Sequence, residues 1–133
     1  MTISYVDSLR QSRIGLTKTA IETGAGTAKL KIYTAPRPAT GGTPTGATLL
    51  VSIDIANPCG TINGSDLLLD IPEQNSVIAS GVHAWARVEA RDGSVVCDMP
   101  TGVTGSGADV EISASQLYSG GILINTAATI REP

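Results

Sequence analysis

Few residues in this chain could do acid–base or covalent chemistry, and none comes in the spacing such chemistry requires. His83 is the single histidine. Zinc wants three or four His, Cys or carboxylate ligands, and no second His or closely spaced Cys pair stands with it. His83 therefore reads as a strand residue facing the same way as Trp85. A serine nucleophile sits in a Gly-x-Ser-x-Gly elbow between strand and helix; Gly105-Ser106-Gly107 belongs instead to a loop-like stretch, Thr101 to Ala108. Asp66, Asp70, Asp92, Asp98, Asp109 and Glu111 are scattered singly, without the paired placement of a glycosidase. Asp109 and Glu111 would share one side of a strand, a loose calcium contact at best and otherwise two solvated carboxylates. Gly24-Ala25-Gly26 lacks the third glycine of a dinucleotide loop, and it follows a helix where that loop follows a strand. Cys59 and Cys97 lie far apart in no spaced motif, the pattern of reduced thiols made in a cytoplasm. The expectation is a protein that is not an enzyme, with no cofactor, no metal and no catalytic residue.

The totals point the same way. The 133 residues suit one domain, 1–133, and its apolar content comes from Ala, Val, Ile and Leu, with no Phe, one Trp and three Tyr. An aromatic-lined sugar cleft or a single-strand nucleic-acid platform has little material here. No apolar run approaches the roughly 18–20 residues of a membrane helix, and the N-terminus lacks signal-peptide order. Residues 1–37 hold six basic residues against two acids, a balance of +4, while 38–133 hold three against ten, a balance of −7. Such an asymmetry lets subunits or partners meet through complementary fields, and otherwise describes ordinary solvated faces. The acidic remainder would repel phosphate, so no nucleic-acid partner is expected, and no membrane.

The elements that must position these residues centre on Val82 to Asp98. This stretch reads as two strands joined by Arg91-Asp92-Gly93, a type I turn whose Gly93 takes the left-handed position of a three-residue hairpin loop. That turn sets Val88 opposite Val96, Arg87 opposite Cys97, Ala86 opposite Asp98 and Trp85 opposite Met99. Both faces then carry apolar residues, so both want a cover. Trp85 and Met99, with Arg87 beside them, are the candidate contact between subunits, since Trp is enriched at interface hot spots.

Before the hairpin, Ser4 to Asp7 reads as a capping box opening an amphipathic helix within 1–24. Val6, Leu9, Leu16 and Ala20 follow a 3–4 spacing interrupted by Arg13, with Ile14 and Ile21 one residue over. Gly15 costs about 1 kcal/mol against Ala there, so tertiary packing must hold the helix. A β domain over 28–133 follows. Ala28, Leu30 and Ile32 alternate with Lys29 and Lys31, and Leu49, Val51, Ile53 and Ile55 alternate likewise. Between them 35–48 holds three Pro and three Gly with almost nothing to bury, a contact arm or a mobile excursion. Asn63-Gly64 suits a two-residue hairpin loop; Leu67 to Ile71 and Val110 to Ser113 read as strands, Gln116 to Tyr118 as a turn. Ile122, Ile124, Thr126, Ala128 and Ile130 would share a face of one closing strand. Seven or so strands predict a mainly β fold, an antiparallel β-sandwich or jelly-roll-like domain with one N-terminal α-helix.

The order of pieces then carries a resemblance. A helix with Arg10 and Arg13 runs into Ile21-Glu22-Thr23-Gly24-Ala25-Gly26. Lys29 to Tyr33, Arg37-Pro38-Ala39-Thr40-Gly41-Gly42, Asn57-Pro58-Cys59-Gly60, Ala84-Trp85-Ala86-Arg87, Asp92-Gly93 and Ile130 to Pro133 follow. Taken together this resembles a family of small structural proteins of tailed bacteriophages, β-rich subunits that decorate or cement the capsid, commonly as trimers. The resemblance implies a place on the outside of the virion after synthesis in the bacterial host cytoplasm. It also implies the major capsid protein and further copies of the chain, a homotrimer, as partners. Arg10, Arg13, Lys18 and Arg37 are then the candidate capsid contacts. A receptor- or glycan-binding β module of a phage fibre or tail is the alternative, disfavoured by the scarcity of aromatics.

Overall fold

The computed structural model describes residues 5–131. One helix, α1 (Asp7–Ile21), precedes eleven strands. These are β1 (Lys29–Thr34), β2 (Leu49–Asp54), β3 (Gly60–Asn63), β4 (Asp66–Leu69), β5 (Gln74–Ser76) and β6 (Gly81–Glu89), then β7 (Val95–Val103), β8 (Val110–Ile112), β9 (Gln116–Leu117), β10 (Ile122–Ile124) and β11 (Ala127–Arg131). The main sheet runs β2-β1-β6-β7-β8-β11-β4-β3, with β9 on β6, and β5 and β10 form a separate pair. Among the described residues only β7 and β8 pair in parallel. The expected mainly β domain with one N-terminal helix is what forms, its large sheet curled into a half-barrel.

Alternation explains the curl's two sides. In β1, Leu30 and Ile32 point inward with Val51 and Ile53 of β2 and Ala86 and Val88 of β6, all fully buried. Each such aliphatic side chain contributes about 1.5–3 kcal/mol by leaving water. Lys29, Lys31 and Tyr33 face outward, where Lys31 meets Glu89 at 3.0 Å and Lys29 pairs with Asp54. The helix joins the inner side through Ile14 and Ile21, two turns apart, and lies against β3, β4 and β7. Its N-cap position is Val6, which makes no side-chain cap; the Ser4 of the expected capping box lies outside the described residues.

The hairpin tip holds the helix's other end. The Arg91 and Asp92 N–H groups donate to the Ile21 and Thr23 carbonyls at 3.1 and 3.0 Å, supplying caps that a helix end needs. A Cβ on Gly24 would stand 2.4 Å from the Asp92 nitrogen, and on Gly26 2.6 Å from the Arg91 oxygen. The two glycines thus serve a close backbone approach and not a phosphate.

The turn forms as the sequence implies: Gly93 has φ +89° and its N–H reaches the Ala90 carbonyl at 2.9 Å. The register beyond it is corrected. Glu89 pairs with Val95 but Val88 with Cys97, so Val96 is an extra residue and every later pair moves by one. Arg87 faces Asp98, Ala86 faces Met99 and Trp85 faces Pro100. Two further expectations change. Ile122 to Ile130 is not one strand, because Asn125 at φ +54° breaks it into β10 and β11, leaving Ile122 and Ile124 outside and Leu123 buried. Gln116–Leu117 is strand β9, paired with Gly81 and Val82.

Candidate functional site

The outer face of β1, β6 and β7 gathers the polar groups the sequence scatters. The Tyr33 ring stacks on Trp85 at 4.5 Å between centroids, 10° from parallel. Trp85 Nε1 donates to the Thr34 carbonyl at 2.9 Å, and the Arg87 guanidinium lies 5.1 Å from the Trp85 ring centre. Arg87 donates from Nε to Asp98 Oδ1 at 2.7 Å and from Nη2 to Asp98 Oδ2 at 3.1 Å. Both side chains are almost wholly buried.

Their cover is residues 35–48, folded back as a strap. The Gly41 N–H donates to Asp98 Oδ2 at 3.0 Å, Arg87 Nη2 donates to the Gly42 carbonyl at 2.7 Å, and Arg37 Nη2 donates to the Asp98 carbonyl at 3.1 Å. Burial alone would raise the Asp98 pKa, but the Arg87 and Gly41 hydrogen bonds and the arginine charges hold it below the usual carboxylate range. The same pairing raises Arg87. With its lone pairs taken by the guanidinium and the strap, Asp98 works as a clamp and not as a base.

The other candidate groups are likewise engaged. His83 Nε2 lies 2.7 Å from the Ala114 carbonyl, which only accepts, so that nitrogen carries a proton; Nδ1 lies 2.7 Å from Thr101 Oγ1. Glu22 Oε2 accepts from the Cys59 N–H at 2.8 Å and from Lys18 Nζ at 3.0 Å. The Cys59 hydrogen bond chiefly lowers the Glu22 pKa, against the effect of burial. Burial and the Glu22 charge push the Cys59 thiol up to about 11. Burial, Asp98 and Asp109 do the same to Cys97, also to about 11, so neither thiol is an activated nucleophile. Asp109 holds Arg131 at 2.9 Å, while Glu111 accepts from the Gly105 and Gly107 N–H groups at 3.1 and 3.0 Å. Among the described residues no three His, Cys, Asp or Glu gather as a metal cluster. An open cleft of about 330 Å³ lies between Asp54-Ile55-Ala56 and Asp70-Ile71-Pro72, with two carboxylates and no nucleophile in its lining.

Compared with known proteins, the chain matches no family model, no curated protein and no solved structure. What it can do must come from its own surfaces.

The residues expected at a subunit interface are differently placed. Trp85 and Arg87 are buried under the strap, and Met99 is buried in the inner core opposite Ala86, so the register separates Met99 from Trp85. The hairpin's second cover is the chain's own loop. The expected capsid contacts lie nearer the surface. Arg10 meets Asp7 at 3.2 Å, the Arg13 guanidinium sits 4.9 Å from the Tyr5 ring centre, Lys18 holds Glu22, and Arg37 belongs to the strap. Sequence reasoning saw the 3–4 stripe of α1 but not its direction: Val6, Leu9 and Leu16 face outward at 69, 43 and 72 % exposure. A cation in mid-stripe, Arg13, is the signal that this side stays outside. Ile78, Tyr118, Ile122 and Ile124 form a second exposed apolar group around β5 and β10.

Proposed function

We propose that this chain is a non-enzymatic structural protein of a tailed-phage virion, one that decorates or cements the capsid exterior by surface contacts. The observation that carries the reading is the outward apolar stripe on a basic helix. Leu16 and Val6 are among the most exposed aliphatic residues of a domain whose Asp98, Arg87, His83 and Glu22 all serve its own fold. Exposed apolar stripes bordered by charge mark protein contacts. Polar groups wholly engaged in internal clamps suit a rigid scaffold for such contacts. The order of sequence motifs set out above supports the same reading.

A decorating subunit needs no tight single contact. Weak contacts repeated over a lattice, or by a trimer at several points, sum to firm attachment. On this reading α1, with Arg10, Arg13 and Lys18, is the face that meets the major capsid protein, and further copies of the chain are the other partners. The test is the copy number per purified particle together with rebinding of purified chain to stripped shells. A copy number set by the shell lattice supports decoration. A handful per particle would point to a fibre or tail module, and absence from particles would end the reading.

A further inference from the structure

Two stretches of the chain, 74–86 and 112–130, hold no Asp, Glu, Lys or Arg; all nine basic and twelve acidic residues lie elsewhere. The fold brings these two stretches together. β5 pairs with β10 and the start of β6 pairs with β9, each time one stretch against the other. The turn between β9 and β10 is tied down likewise. The Gly120 N–H donates to the Val77 carbonyl at 2.9 Å, and the Ser119 N–H donates to Ser80 Oγ at 2.9 Å. Alternation then sorts the β5–β10 pair into two sides. Val77 and Leu123 are buried, while Gln74, Ser76 and Ile78 face outward together with Ile122 and Ile124. Ile78, Ile122 and Ile124 are 58, 65 and 46 % exposed, and Tyr118, at 66 %, stands at the turn where its carbonyl accepts from the Gly121 N–H. The charged residues that bound the two stretches are mostly turned away. Glu111 holds the Gly105 and Gly107 N–H groups, Arg131 holds Asp109 and Arg87 holds Asp98, which leaves Glu73 at the rim beside Asn125.

We propose that this uncharged face joins the chain to a second copy of itself. β10 lies antiparallel to β10 of that copy across a two-fold axis near Leu123, so that Ile122 of each chain meets Ile124 of the other. Strand edges left in water are normally blunted by a charge. β10 is paired on one side only, by β5, and Ile122-Leu123-Ile124 carries no charge. An apolar face without such a guard is the mark of a covered surface. The charge on the rest of the chain selects the occupant. Residues 38–133 hold three basic residues against ten acids, so two copies repel each other through most of that surface. On this face each copy offers aliphatic groups, amides and hydroxyls, and no like charges are brought together. A basic protein, an anionic lipid surface or a nucleic acid finds nothing here to pair with. A two-fold contact is isologous, so each favourable contact is made twice. The face is small, and the pair is therefore weak alone and firm only where many copies are held close together. This places the contact between copies on elements other than α1, and rests on the reading above for the further copies themselves.

The test is sedimentation equilibrium of the full chain from micromolar to millimolar concentration, which should show monomer and dimer in exchange. Ile122→Lys should weaken the dimer at least about tenfold, since the lost contact counts twice. Ile78→Lys should weaken it too. Circular dichroism and Trp85 emission should stay unchanged in both, because these side chains already face water. Ile124→Glu should also dimerise poorly alone, while a mixture of Ile122→Lys and Ile124→Glu chains should recover the dimer through the Lys–Glu pair that an antiparallel β10 contact creates. A monomer at every concentration overturns the proposal, and so does a dimer that Ile122→Lys and Ile78→Lys leave intact. Failure of the mixture to recover overturns it as well. A dimer abolished by Leu16→Lys instead would assign self-contact to α1 and overturn it. Chains that occupy shells while Ile122→Lys still dimerises sink this inference and leave decoration standing. Dimers through β10 formed by a chain absent from particles do the reverse.

Discussion

Asp98 stands directly opposite Arg87 across the β6–β7 pair and takes both arms of its guanidinium, at 2.7 Å and 3.1 Å. The pairing exists because Val96 is an extra residue in β7. Without it, Asp98 would stand beside Ala86 on the core side and Cys97 would face Arg87. The bulge turns the carboxylate outward, and the strap then closes over the pair.

Removing the carboxylate should be costly. Asp98→Ala strands a buried guanidinium and leaves the Gly41 N–H without its acceptor, a loss of about 3–5 kcal/mol for a broken buried pair. Urea unfolding should show it, and Trp85 emission should move to the red as the strap loosens. Replacing both partners, as in Arg87→Met with Asp98→Leu, should cost less than Asp98→Ala alone. An unchanged unfolding midpoint in Asp98→Ala would show that the strap is held by something else.

Acid should weaken the fold through the same group. The Asp98 and Glu22 pKa values lie below the ordinary range in the fold, whereas unfolded carboxylates take up protons near pH ~4. As pH falls the unfolded state binds more protons. The stability these two groups confer is therefore full above their unfolded pKa and is lost as pH falls through the folded values. Unfolding midpoints measured from neutral to acid pH should fall less steeply in Asp98→Asn than in the parent chain. Parallel curves would rule Asp98 out as the source.

The thiols predict an alkaline limit. Cys59 and Cys97 titrate near 11 in the fold, against about 8.5 for a free thiol. Their raised values mean that the folded state keeps protons the unfolded state gives up. Stability is thus full below the unfolded pKa and falls as pH rises toward 11. Cys59→Ala with Cys97→Ala should flatten that decline. In the native chain the buried Cys59 thiol should react with an aromatic disulfide reagent only as fast as the protein opens, and more slowly than the half-buried Cys97; prompt reaction of Cys59 at neutral pH would refute its burial.

How much of this was legible depends on what decides each feature. The faces of β1 and β2 follow from alternation, because Lys29 and Lys31 cannot share the side of Leu30 and Ile32 in a half-buried sheet. The Arg91-Asp92-Gly93 turn is legible because Gly93 must adopt positive φ. The bulge is not, since Val95, Val96 and Cys97 are all apolar and their types suit either register equally; only the distant partner of Asp98 decides. The strap is equally opaque, because two of the three hydrogen bonds that tie it to Arg87 and Asp98 use the Gly41 and Gly42 backbone, which any sequence offers. On α1 the sequence presents two apolar stripes, and burial of Ile14 and Ile21 in place of Val6, Leu9 and Leu16 is settled by tertiary packing. The candidate contact cations on the helix were therefore visible, while the enclosure of Trp85 was not.

Two glycines near one another in sequence should answer substitution in opposite directions. A Cβ at Gly15 meets nothing within 4 Å, and the residue sits inside α1 with ordinary helical backbone. Gly15→Ala should stabilise the chain by about 0.5–1 kcal/mol, the helix-propensity difference. Gly24 has φ +117°, and its Cβ would stand 2.4 Å from the Asp92 nitrogen and 2.7 Å from the Arg91 carbonyl carbon. Backbone cannot yield as a flexible side chain does. Gly24→Ala must therefore push the hairpin tip from the helix end and loosen the Arg91 and Asp92 bonds to the Ile21 and Thr23 carbonyls. A loss larger than the Gly15→Ala gain is expected in thermal or urea unfolding, together with faster amide exchange at Arg91 and Asp92. If Gly24→Ala matched the parent in both measurements, the helix end and the hairpin tip would not be joined as described.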